Sequence, residues 1–135
     1  RAYCEWLSGW TGRPHGLPTE AEAEKLYAST AEPENTLDYW AGYAPNPEDA
    51  ARLQKKAVEL GAGAPLLKEA GSFQGRGSGD PVFDLGGNVA EWTVAADGTG
   101  RAAGGSADAP ADAKLRARSP APEYTGLRVI RPAKD

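Results

Sequence analysis

The sequence predicts an α+β fold, and three observations carry that expectation. Apolar residues recur at helical spacing in the first half of the chain. Short β-rich runs follow in the second half. The segments between them are rich in Pro, Gly and Asn. The 135 residues suit a single domain, 1–135, with a modest core. A composition of 40% hydrophobic and 25% charged residues excludes a fibre, a coiled coil and long disorder.

The elements follow in order. Tyr3, Trp6, Leu7 and Trp10 share one face of a helix already under way at Arg1, and Gly9 and Gly12 bracket its end. Cys4 lies on or beside that stripe and reads as a small buried hydrophobe. In Leu17-Pro18-Thr19-Glu20-Ala21-Glu22, Thr19 and Glu22 have the spacing of a capping box. The spacing predicts a helix running to about Ser29 that buries Leu26 and Tyr27. Glu20 and Glu22 suit helix-dipole complementarity better than acid/base work. Residues 31–47 read as loop, with Tyr39, Trp40 and Tyr43 as anchors. Asn46-Pro47-Glu48-Asp49 then opens a second well-signalled helix: an Asn cap, Pro in the first turn, acids after it. Leu53, Ala57 and Leu60 mark its inner face. Arg52, Lys55, Lys56 and Glu59 mark a solvated face, and Gly61 and Gly63 stop the helix.

Beyond residue 62 the helical period fades. Leu66-Leu67 reads as a short strand or an anchor. Gly71, Gly75, Gly77 and Gly79 lack the Gly-Lys-Ser/Thr that a phosphate loop needs. Residues 91–95 read as a strand, Asp97-Gly98 as a two-residue hairpin turn, and 101–103 as the returning strand. A loop rich in Pro, Ala and Asp spans 107–122, and 127–131 reads as the last strand.

Composition also narrows function. A net charge of −4 argues against nucleic acid as the main partner. No apolar run approaches the length of a membrane span, so membrane insertion is not expected. One cysteine excludes an internal disulfide framework. His15, the single histidine, cannot by itself supply a multi-histidine metal site.

The densest segment is Val82-Phe83-Asp84-Leu85-Gly86-Gly87-Asn88-Val89-Ala90-Glu91-Trp92. Asp84 and Glu91 flank a tight glycine-containing turn that can aim carbonyls inward. Two carboxylates plus carbonyls suit a hard cation such as calcium. The same residues also suit a purely structural turn, with Asn88 bonding local backbone and Trp92 filling the core.

Four segments in order resemble the formylglycine-generating-enzyme (sulfatase-modifying factor) domain family. They are Ala2-Tyr3-Cys4-Glu5-Trp6-Leu7-Ser8; Thr11-Gly12-Arg13-Pro14 with Leu17-Pro18-Thr19-Glu20-Ala21-Glu22; Phe83 to Trp92; and Gly104-Gly105-Ser106 with Gly126-Leu127-Arg128-Val129. The family pattern runs AYCxWLS, TGRxxRLPTEAEWE, GLYDMxGNVWEW, RGGS and GFR. The resemblance implies a C-type-lectin-like fold, loop-rich, with short helices and short antiparallel strands. It implies structural calcium on Asp84, the Gly87 and Val89 carbonyls and Glu91. A second family calcium site places Asn35 as a further candidate. It also implies that residues 1–135 are the C-terminal part of a larger domain. A further chain or domain would then complete the fold, and 47–61 would be a helical insertion.

Departures from the pattern bear on activity. Catalytic members carry two copper-binding cysteines shortly after GGS, whereas Ser106 leads here into Ala107-Asp108-Ala109-Pro110-Ala111-Asp112. Cys4 cannot replace that pair, so no catalytic residue is assigned. Gly16 stands where the pattern has Arg and Ala23 where it has Trp. The leading expectation is a non-catalytic module, a pseudoenzyme serving binding or structural roles in a larger assembly and displaying residues 107–124. An oxygen-using metalloenzyme with ligands from outside the chain is one alternative. The other is a ligand-displaying variable protein of a diversity-generating retroelement. That class predicts aromatic or Asn-rich loop positions, and this loop is mostly Ala, Pro and Asp.

Overall fold

Short-range signals account for most of the helices in the computed structural model, which describes residues 1–30, 33–60, 63–75, 81–116 and 118–132. Helix α1 spans Ala2–Thr11 and ends where Gly12 turns left-handed at φ 66°. Helix α2 spans Glu20–Tyr27, and the capping box forms as the spacing predicts. The Thr19 amide donates to Glu22 at 2.8 Å, and the Glu22 amide donates to the Thr19 hydroxyl at 3.3 Å. Helix α4 spans Pro47–Glu59, capped by Asn46, whose side chain accepts from the Asp49 amide at 2.9 Å. Gly61, expected to stop it, lies outside the described residues, as do Gly77 and Gly79.

A short helix, α3, Leu37–Ala41, interrupts the region expected to be loop. Thr36 gives it no side-chain cap, so it carries little local signal. Tyr39, Trp40 and Tyr43 were expected as anchors, but all three are exposed. Leu37 is the anchor instead. On α4 the buried face is Ala50, Gln54 and Ala57, with Leu53 half-buried, while Leu60 lies in solvent. The predicted face is thus rotated toward the smaller residues. Ala50 and Ala57 let the helix approach closely, and the Gln54 amide reaches the Asp108 carbonyl. Arg52, Lys55, Lys56 and Glu59 are solvated as expected.

Strand β1 (Ala90–Val94) pairs antiparallel with β2 (Gly100–Ala103), with Trp92 opposite Ala102. The hairpin turn holds three residues rather than two. Ala95 accepts from the Gly98 amide and donates to the Thr99 carbonyl, and Gly98 adopts φ 79°. On the other side of β1 lies β3, Thr125–Gly126, running parallel to it. The sheet, ordered β2-β1-β3, is therefore mixed rather than antiparallel throughout. Residues 127–131 were expected as the last strand, but among the described residues they make one bridge, Ile130 to Gly16. The strand character sits one step earlier because a short helical turn, Pro122–Tyr124, delivers Thr125 beside Ala90.

The described structure is an α+β arrangement of short helices around this small sheet. Its main core joins Leu37, Ala50, Ala57, Leu66, Ala107 and Tyr124. Leu66 is the anchor, and Leu67 points outward. Ala23 is buried, while Leu26 and Tyr27 are only half-buried. None of the described helices is long and apolar enough to cross a membrane.

Thr19→Ala should lower unfolding free energy by about 1 kcal/mol at neutral pH, read by urea denaturation. The Thr19 amide and hydroxyl hold the Glu22 carboxyl below its ordinary pKa. Stability from this contact is present above the unfolded carboxyl pKa and lost as pH falls through the folded one. The cost of the substitution should therefore shrink in acid.

Candidate functional site

The 83–91 turn is bound on all sides by distant parts of the chain. Two non-glycine residues in it take left-handed backbone, Asp84 at φ 56° and Asn88 at φ 70°. Asp and Asn tolerate this region better than most residues, and each side chain here is fixed by hydrogen bonds. Asp84 accepts from the Phe73 amide at 3.0 Å and from the Gly71 amide at 2.5 Å. Its carboxylate therefore organises the 71–73 loop.

Asn88 bonds distant rather than local backbone. Its Oδ1 accepts from the Lys68 amide at 3.0 Å and from Asn35 Nδ2 at 2.9 Å, and its Nδ2 donates to the Lys68 carbonyl at 3.1 Å. Its own amide donates to the Asn35 carbonyl, and its carbonyl accepts from Ala107. Asn35 is fully buried. Its amide nitrogen also donates to the Leu66 carbonyl at 2.8 Å, and its Oδ1 accepts from the Trp40 indole at 2.7 Å. Gly87 is required beside it, because a Cβ there would lie 2.5 Å from the Asn35 carbonyl oxygen. The Gly87 carbonyl accepts from the Val89 amide at 3.0 Å.

Glu91 is buried on β1 and meets Arg128. Arg128 Nε donates to Oε2 at 2.9 Å and Nη2 to Oε1 at 2.7 Å, a two-pronged ion pair. The Tyr27 hydroxyl donates to Oε2 at 2.9 Å. Burial, then the Glu91 charge, pushes the Tyr27 phenol well above its usual range. Glu34 accepts from the Gly86 amide at 3.0 Å, and burial raises its pKa.

The five residues expected to hold calcium thus fall into separate bonding environments. Asp84 serves the 71–73 loop, Glu91 serves Arg128 and Tyr27, and Asn35 joins the Asn88 network. The Gly87 carbonyl closes its own turn. Val89 is half-buried, its methyl packed toward Gly126. As arranged, the Glu91 end does not suit a calcium ion, since a guanidinium holds both of its carboxylate oxygens, while each Asp84 oxygen accepts from one backbone amide. Among the described residues, no group of three or more His, Cys, Asp or Glu is placed to hold a metal ion. His15 is tied locally, its Nδ1 2.8 Å from the Arg13 carbonyl.

The segment after Gly104-Gly105 also departs from expectation. Residues 106–110 are buried rather than displayed. Asp108 is fixed by the Ser106 hydroxyl at 2.7 Å and the Ala121 amide at 3.0 Å, with Arg118 3.7 Å away. Arg116 donates to the carbonyls of Gly104, Pro110 and Ala111 at 3.0–3.2 Å, strapping the segment down. The described residues of 112–123 are exposed or half-buried.

Sequence reasoning missed Arg128, Tyr27 and the long reach of Asn88. One signal for Arg128 was present: a buried glutamate in a strand demands a positive partner, and Arg128 interrupts the apolar run 127–130. Comparison with protein-family models, with curated proteins and with solved structures found no match to this chain.

Asn35→Asp separates the two roles of that residue, because it strengthens a cation ligand but destroys an amide donor. It should cost roughly 3 kcal/mol in urea denaturation, with or without calcium. Gly87→Ala should cost about 1–3 kcal/mol, as the new methyl meets backbone rather than a flexible side chain; a thermal melt checks it.

Proposed function

We propose that this chain is a non-catalytic module of the formylglycine-generating-enzyme type, whose role is to bind a further protein chain or domain. The observation that carries the reading is an aromatic face on α1. Trp6 and Trp10 are 58% and 74% exposed, stacked with ring centroids 5.6 Å apart, and Tyr3 continues the row. Cys4, not this stripe, is the buried contact of the helix. Tyr3 also joins Trp92, Leu127, Leu17 and Cys4 around a groove of about 260 Å³. Trp92 and Leu127 are themselves exposed. Exposed aromatics concentrated on one face mark interfaces, where Trp and Tyr carry much of the binding energy.

The occupant is a protein surface that packs apolar side chains over this stripe and continues the sheet. Strand β2 is the outer strand on that side and is largely exposed, so its edge offers unpaired backbone groups. The non-catalytic part of the reading rests on the chain's thiol content. The one cysteine, Cys4, is buried in α1, and none follows Ser106.

The double substitution Trp6→Ser, Trp10→Ser tests the reading. It should leave the urea midpoint within about 0.5 kcal/mol of the native chain, as for surface changes. It should also remove the apolar-dye binding and the association that we expect the native chain to show in sedimentation. A native chain that sediments as a single 14.1 kDa species and binds no apolar dye would sink the proposal.

A further inference from the structure

The 83–91 turn gathers the oxygen donors a hard cation prefers, and the chain sets its own positive charge among them. Arg128 Nη2 donates to the Phe83 carbonyl at 2.9 Å as well as to Glu91 Oε1 at 2.7 Å, while Nε takes Glu91 Oε2 at 2.9 Å. One guanidinium therefore links the first residue of the turn to the last. The Tyr27 hydroxyl completes the shell around Oε2. The pair is shielded: the Glu91 and Arg128 side chains are 7% and 22% exposed.

We propose that Arg128 is the resident cation of this turn, standing where the Glu91 carboxylate and the Phe83 carbonyl would otherwise draw a divalent ion, so that the turn holds its shape without metal. A calcium ion on Glu91 would have to displace a bidentate guanidinium or sit against it. Guanidinium carries its charge at every ordinary pH, and its planar fork matches a carboxylate. A dissociable ion offers no such fork. Asp84 fits the same picture. Its carboxylate accepts from the Gly71 and Phe73 amides, away from the guanidinium.

Thermal melts of the whole chain test this. The melting temperature of the native chain should be the same in EDTA and in millimolar calcium. Arg128→Gln should lower it by on the order of 10 °C, since it leaves a buried carboxylate without its partner. Arg128→Lys should fall between the two, because an ammonium keeps the charge but not the fork. Calcium should raise the melting temperature of Arg128→Gln, while sodium at equal ionic strength should not. A native chain that loses several degrees in EDTA and regains them with calcium would overturn the proposal. So would Arg128→Gln melting at the native temperature. Should Arg128→Gln not fold, Arg128→Lys decides: native-like melting counts against the role.

Discussion

Two buried asparagines hold this structure together. The core contains few large apolar side chains, chiefly Leu37, Leu66, Leu85 and Tyr124, and is otherwise built from alanines. Such a core buries too little area to dictate geometry by packing alone. The Asn35–Asn88 pair supplies what packing does not. It joins the segments around 35, 66–68, 88 and 107 through directional bonds that allow one arrangement. Among the described residues every buried side-chain polar atom has a partner, and such networks stabilise only when fully satisfied.

Glycine serves this knot by absence. Gly87 admits the Asn35 backbone, and Gly105 admits the Gly86 carbonyl, where a Cβ would lie 2.8 Å away. These close approaches bring the turn and the 104–111 segment against each other. The burial of 106–110 follows from that seating, with Arg116 fastening the segment by three carbonyls.

The parts of the fold legible in sequence are those set by neighbours along the chain. The Thr19 and Asn46 caps, the glycine stop at Gly12 and the Asp97-Gly98 turn all act within a few residues. Illegible features depend on distant partners. Helix α3 exists because Leu37 reaches the core, and β3 is parallel because residue 125 arrives beside Ala90. The inner face of α4 favours Gln54 because Asp108 presents a carbonyl there. At Tyr3, Trp6 and Trp10 periodicity reports a shared face but not what covers it. At the candidate site, the turn chemistry and the family resemblance singled out Asp84, Gly87, Val89, Glu91 and Asn35 as cation ligands. Their partners come from elsewhere in the chain, and spacing along 83–91 holds no trace of Arg128.

The asparagine knot also sets an order in time. Its strands of chain lie far apart in sequence, so closing it carries a large loop entropy before any bond rewards it. Helices α2 and α4, with their own caps, are able to flicker into existence early. Contacts like the Asn35–Asn88 pair, 53 residues apart along the chain, should therefore slow folding more than the locally capped helices do.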